Sequence, residues 1–290
     1  MSLNSDIRKR IENFRGSVVK KTESLSGGCI SNAYRLTFED DLSCLIKINE
    51  HSPADMFIKE AHGLQELRKA NAIKVPEVLL FDAGFILLEF IDISIKQKNF
   101  FEEFGRKFAL LHKYTADEFG FYEDNYIGST PQMNINDETT KKNWTSFYFN
   151  KRLLYQFKLA EKNGYADNHL RDAFMKTEDI IESILGSSDA TPSLLHGDLW
   201  SGNYMTDKNG EACLIDPAVY YGDREADLAM TKLFGGFSQS FYDSYNEVFP
   251  LQEGWKYREN IYILYHVLNH LNLFGRGYYS HALSLMKLYS

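Results

Sequence analysis

The order of predicted elements constrains this chain more than any other feature. Segments 18–25, 33–38 and 43–48 read as three strands, with a turn at Ser26-Gly27-Gly28 between the first two. Ser52-Pro53 then announces a helix, because Ser caps well and Pro suits the first helical position. Phe57, Ala61, Leu64 and Leu67 give that helix an apolar stripe. Val75-Pro76 breaks the chain, and 77–81 and 85–90 read as two more strands. The order is therefore β-β-β-α-β-β, after a short helix at 4–14 with Ile7, Ile11 and Phe14 on one face. From Asp92 onward the pattern is mostly helical, at 101–113, 144–162, 170–185 and from Arg224 to the end. A loop-rich stretch (119–136) and a short β-like insert (194–215) interrupt it. With no Gly/Ser-rich linker, the expectation is an α+β chain of two lobes, 1–91 β-rich with one key helix and 92–290 mainly helical. A tight hinge is expected near Glu89 to Asp92.

Bulk composition narrows the function. A chain of 290 residues suits one large domain or two lobes around a cleft. Hydrophobic content of 44% and charged content of 25% argue against disorder. A net charge of −8 disfavours nucleic acid or an anionic membrane as partner, since both require a basic face. A locally basic cleft for phosphate remains compatible with it. Cys29, Cys44 and Cys213 show neither zinc spacing nor a disulfide framework. No apolar leader stands at 1–15 and no run is long enough to span a bilayer, so a cytoplasmic location is expected.

The chemistry concentrates in His196-Gly197-Asp198-Leu199-Trp200-Ser201-Gly202-Asn203. An Asp followed five residues later by an Asn is the spacing of a kinase catalytic loop. Geometry explains the spacing: the Asp must meet an incoming hydroxyl, and the Asn must reach a metal on the phosphate side. Thirteen residues past Asn203, Asp216 leaves a short apolar strand, where a second metal ligand is needed. Lys47 stands inside the apolar run Cys44-Leu45-Ile46-Lys47-Ile48, so burying it requires an anion. Glu60, on the following helix, is the natural partner; Glu66 is offset by six residues and points elsewhere. Gly27 and Gly28 occupy a phosphate-covering turn, where backbone N–H groups can approach closely. Cys29 stands in the same turn, and oxidation of an exposed thiol there would block nucleotide. His196 is expected to hold the loop by hydrogen bonds, and Asp227 to grip its backbone.

The sequence resembles the fructosamine kinases (ketosamine-3-kinases), relatives of aminoglycoside and choline kinases. The matching words are the 196–203 loop, the run from Asp216-Pro217-Ala218 to Ala229-Met230, Leu233-Phe234-Gly235-Gly236-Phe237 and Asn125-Tyr126-Ile127-Gly128. The resemblance implies a two-lobed, protein-kinase-like fold using ATP and Mg²⁺. It implies Asp198 as catalytic base, Asn203 and Asp216 as Mg²⁺ ligands, and Lys47 with Glu60 positioning ATP. Glu89, Phe90 and Ile91 would form the adenine hinge. It also implies phosphorylation of the 3-hydroxyl of a sugar carried on an amine, free or protein-bound, which repairs glycation. Trp200 either stacks on that sugar or wedges the core, and Asp223 either borders the substrate or begins a solvated helix with Arg224 and Glu225. Two other readings stay open: a kinase for an aminoglycoside or choline-like hydroxyl, and a non-catalytic nucleotide-binding scaffold.

Overall fold

The computed structural model describes residues 3–25, 32–49 and 53–289. Helix α1 (Ser5–Arg15) is capped by Asn4, whose side chain accepts from the Asp6 N–H at 2.8 Å. Ile11 is buried beneath it, but Phe14 turns to solvent. The last turn instead lays the Arg15 guanidinium over the Phe38 ring, 5.2 Å from its centroid.

Strands β1 (Val19–Leu25), β2 (Asn32–Phe38), β3 (Ser43–Ile48), β4 (Val78–Asp82) and β5 (Phe85–Glu89) form one antiparallel sheet in the order β1-β2-β3-β5-β4. Helix α2 (Met56–Lys69) falls between β3 and β4. Alternation along the strands splits the sheet into two faces. Cys44, Ile46, Phe85 and Leu87 pack with Ile11, while Leu45, Ile86 and Leu88 join the core containing Phe57, Ala61, Leu64 and Leu67 of α2. The same alternation puts Lys47 on the α2 side. Helix α2 starts later than Ser52-Pro53 suggests. The Pro53 carbonyl accepts from the Met56 N–H at 3.1 Å in a turn, and Asp55 takes the cap position; Ser52 is outside the described residues.

The rest of the chain is largely helical. Helix α3 (Phe100–His112) is followed by a small hairpin, β6 (Asn125–Ile127) and β7 (Thr130–Gln132), inside the stretch expected to be loop. Strands of three residues are too short for a period to show. The helix expected at 144–162 is continuous but not uniform: α4 (Trp144–Tyr148) passes through a π-helical turn, Phe149–Leu153, into α5 (Leu154–Lys162). Helix α6 (Asn168–Leu185) leads to β8 (Ser193–Leu195), β9 (Tyr204–Thr206), β10 (Ala212–Leu214) and β11 (Tyr220–Gly222). These pair as two ribbons, β8 with β11 and β9 with β10. Helices α7 (Arg224–Lys232), α8 (Gln239–Val248), α9 (Trp255–Phe274) and α10 (Tyr279–Lys287) complete the lobe, around a core that α9 crosses from Ile261 to Leu271.

The sheet lobe and the helical lobe are stitched together. The Leu214 N–H donates to the Lys74 carbonyl at 2.9 Å, and the Lys74 ammonium reaches Glu89 at 2.9 Å. Apolar packing is continuous from Phe57 and Ile86 to Leu268 and Met286. Cys44 and Cys213 are buried free thiols, and burial pushes the Cys213 thiol up to about 12. Among the described residues no helix is long and apolar enough to cross a membrane.

Candidate active site

The two ribbons set the site. Strand β8 delivers His196 and Gly197, and the β9–β10 ribbon brings Asn203 beside the residues that follow β10. The Asn203 carbonyl accepts from the Ile215 N–H at 3.1 Å, one residue before Asp216. Gly197 has φ +82°, and a Cβ there would collide with the Ala218 carbonyl oxygen, so this position requires glycine. Asp216 itself has φ +54°, a left-handed conformation that costs a non-glycine residue about 1 kcal/mol or more. The Ala218 N–H, donating to the His196 carbonyl at 2.8 Å, helps fix it there.

Asp227, from α7, accepts the N–H groups of His196 at 2.6 Å and Gly197 at 2.8 Å. Its own support is His112 of α3, with Nε2 at 3.3 Å; His112 Nδ1 lies 2.8 Å from the Tyr245 hydroxyl. Burial opposes charge on Asp227, but His112 and these amides outweigh it and hold its carboxyl below the usual range. Burial likewise lowers His112 and His196, leaving both imidazoles neutral. His196 therefore donates Nε2–H to the Ile215 carbonyl at 2.9 Å, and its Nδ1 accepts from the Asp198 N–H at 3.3 Å. One ring ties the loop to the strand that carries Asp216.

Asp198 accepts from the Asn203 amide at 3.0 Å, and its backbone carbonyl from the same nitrogen at 2.7 Å. Burial pushes the Asp198 carboxyl well above the ordinary carboxylate range; the Asn203 hydrogen bond opposes this, and the charges of Asp216 and Asp227 add to it. Lys47 donates to Glu60 at 2.6 Å and also pairs with Asp216. Burial works against the ammonium, but Asp216 and Glu60 outweigh it and raise Lys47 above an ordinary lysine. Glu66 points away, accepting from the Tyr221 hydroxyl at 2.8 Å. Lys47 from β3, Glu60 from α2, Asp198 and Asn203 from the loop between β8 and β9, and Asp216 after β10 thus converge from four segments.

Other expected residues fall in different places. Glu89 ends β5 and pairs with Lys74, Phe90 lies under the Arg35 guanidinium at 4.3 Å, and Ile91 is buried. Gly27, Gly28 and Cys29 are outside the described residues. Trp200 packs edge-on against Phe234 at 5.7 Å, and a Cβ at Gly202 would run into its ring. Phe234 lies 5.0 Å from His270, which in turn lies 5.4 Å from Phe274. An aromatic wall therefore leads away from the Asp198 loop. His270 carried no signal in the sequence, since a lone His on an apolar helix reads as packing.

The solvated helix start expected as one reading of Asp223, Arg224 and Glu225 is corrected by the structure, which buries all three. Asp223 is the N-cap of α7, just past β11, at the Gly222–Ser193 end of the ribbon and not the Tyr220–Leu195 end that leads to Asp198. Its oxygens accept from the Glu225 N–H at 2.9 Å, Ser188 Oγ at 2.7 Å and the Tyr262 hydroxyl at 3.1 Å. It caps a helix and is buried among these partners. The segment is also not solvated: Arg224 and Glu225 are buried, and Glu225 makes a two-pronged ion pair with Arg258 at 2.6 and 2.7 Å.

The donor set suits Mg²⁺. Asp216 offers a carboxylate, and because the Asn203 nitrogen is committed to Asp198, its amide oxygen is the end left for a cation. Two hard oxygens, with phosphate oxygens from a nucleotide, match what Mg²⁺ requires. Among the described residues no group of three or more acidic, His or Cys side chains forms a self-sufficient metal cage.

A five-stranded antiparallel sheet over a helical lobe, with an Asp-x-x-x-x-Asn loop beneath a Lys–Glu pair, defines the kinase-like phosphotransferase fold. An aminoglycoside phosphotransferase in its ADP-bound form shares it, with TM-score 0.67 at 13% identity over 99% of both chains. A Thermobifida fusca protein assigned to the fructosamine-3-kinases superposes with TM-score 0.89 at 31% identity, covering 99% of this chain and 98% of its own. The chloroplastic protein-ribulosamine 3-kinase of Arabidopsis thaliana is 41% identical over 285 residues, 95% of this chain and 84% of its own. The fructosamine kinase family model matches residues 3–289. The chain belongs to the fructosamine kinase family.

Proposed function

We propose that this protein transfers the γ-phosphoryl group of ATP to the 3-hydroxyl of a ketosamine, with Asp198 as the base, and so takes part in repairing glycated amines and proteins. The observation that carries the reading is the convergence of Asp198, Asn203, Asp216, Lys47 and Glu60, in a chain 41% identical to a ribulosamine 3-kinase. A fold neighbour in an ADP-bound form is in keeping with the use of a nucleotide. We take 1–91 as the nucleotide lobe and 92–290 as the substrate lobe, with adenine against the 89–91 hinge, and keep Gly27 and Gly28 as the residues assigned to the phosphates. A cytoplasmic location fits this role.

The chain's part in the reaction is alignment and charge placement. Asp198, raised by burial, is a stronger base than a free carboxylate and accepts the hydroxyl proton as the sugar oxygen is aimed at phosphorus. Asn203 holds Asp198 by hydrogen bond and, with Asp216, would hold Mg²⁺. When bound, that ion supplies neutralisation of the phosphate charge. Lys47 exchanges its contact with Asp216 for phosphate oxygens, while Glu60 keeps it in place. His196 and Asp227 keep the loop rigid. Trp200, with Phe234 and His270 beyond it, offers an apolar face for the sugar.

ADP release with Mg-ATP across ribulosyl-lysine, fructosyl-lysine, kanamycin and choline tests the reading. Turnover on a ketosamine, with ribulosyl-lysine ahead of fructosyl-lysine, is expected. Turnover confined to kanamycin or choline overturns the substrate while leaving the fold.

A further inference from the structure

The neighbours of Glu60 on α2 face the helical lobe, not solvent. Lys59 Nζ lies 2.7 Å from Glu123 Oε2, and His62 Nδ1 lies 2.8 Å from Glu123 Oε1. One carboxylate therefore engages two side chains that bracket Glu60 on the helix. The Glu123 side chain is only 15% exposed. Its segment is braced as well. The Glu123 carbonyl accepts from the Asn134 side chain at 3.2 Å, and Asp124 accepts the N–H groups of Asn134 and Ile135 at 2.6 and 3.0 Å.

The rest of α2 is pinned on the same side. Just before it, Asp55 accepts from the Tyr126 hydroxyl at 2.7 Å; near its end, Glu66 accepts from Tyr221 at 2.8 Å. At its middle, Gly63 presses on the segment that follows Asp216: a Cβ there would stand 3.4 Å from Val219 and 3.5 Å from Pro217. Of these contacts, Glu123 is the one that holds side chains on both sides of Glu60, at Lys59 and His62. Two anchor points from one carboxylate fix both the height and the rotation of that turn, which a single ion pair cannot do.

We propose that Glu123 is a positioning residue for phosphoryl transfer: by holding Lys59 and His62 together it keeps α2 rotated so that Glu60 secures Lys47. The inference rests on the assignment of Lys47 and Glu60 to ATP made above. Glu123 touches neither substrate, and its effect passes through Glu60. The arrangement makes the Lys–Glu pair a standing feature of the fold, with no separate activating segment needed to bring the helix in.

The test is a double-mutant cycle on Mg-ATP affinity, measured by calorimetry without any sugar acceptor. Glu123→Ala is expected to weaken Mg-ATP binding roughly tenfold, the scale on which contacting residues couple, and Glu60→Ala to a similar degree. In the Glu60→Ala background, Glu123→Ala should add nothing further. Glu123→Gln, which keeps the shape and loses the charge, should fall between wild type and Glu123→Ala, and it serves if the alanine variant does not fold. Independent, multiplicative losses in the double variant overturn the proposal, as does unchanged affinity in both Glu123 variants. A wild type that binds no Mg-ATP overturns the functional reading along with it.

Discussion

At the scale of single residues, the site stores cost in two places. Asp216 adopts a left-handed backbone, and Asp198 keeps a carboxyl that burial would rather protonate. The second makes a prediction with a definite sign. Because the folded pKa of Asp198 is raised, its contribution to stability is present at acid pH and is lost as pH rises through that raised value. In nucleotide- and metal-free protein, Asp198→Asn should therefore melt a few degrees higher than wild type at neutral pH. The gap should close toward pH 4, near the ordinary Asp value. A lower melting temperature for the variant at pH 7 contradicts the assignment. Gly197→Ala is the converse case: with φ +82° and Ala218 in the way, it should cost both stability and turnover, read by thermal melts and ADP release. The grouping of Asp198, Asn203 and Asp216 was legible in the sequence because their spacing is imposed by one short loop and one ribbon. The sequence did not disclose His270 or Glu123, whose contacts with Phe234 and with α2 join segments distant in the chain.

At the scale of elements, the strands and α2 were legible because alternation and an apolar stripe leave direct marks on the sequence. The β6–β7 hairpin was not, since three-residue strands carry no period. The π-helical turn was invisible for a different reason: it changes the winding of a helix without changing its apolar spacing much. Asp223, Arg224 and Glu225 misled, because a charged triplet reads as solvated surface, whereas here Asp223 caps a helix, Arg224 donates to the Phe249 and Pro250 carbonyls and Glu225 pairs with Arg258, all three buried. That burial has a measurable consequence. Glu225→Ala strands the Arg258 guanidinium inside the protein and should cost about 3–5 kcal/mol in denaturant unfolding, the range for breaking a buried pair. A loss below about 1 kcal/mol would mean that the pair behaves like a surface ion pair.

At the scale of the whole molecule, the two lobes share one continuous apolar core and a direct strand-to-linker hydrogen bond, so the cleft between them is preassembled. The order of elements foretold two lobes; what joins them needed coordinates, because the contacts of Lys74 with Leu214 and of Glu123 with α2 span distant segments. Acid should weaken the assembly. His112, His196 and His266 are buried and lowered, His266 to about 3. The unfolded chain binds those protons first, so stability should fall as pH drops below about 6.5, the free His value. In the Asp198→Asn variant, which lacks the opposing gain from Asp198, a melting temperature that stays flat from pH 7 to 5 would contradict these imidazoles being held neutral. The central claim, that Asp198 is the base of a ketosamine kinase, is tested most directly by ADP release from Mg-ATP and ribulosyl-lysine in wild type and Asp198→Asn. The account predicts turnover in the wild type and a loss of about 10²-fold or more in the variant, with Mg-ATP affinity nearly unchanged. Wild-type turnover in Asp198→Asn would contradict it.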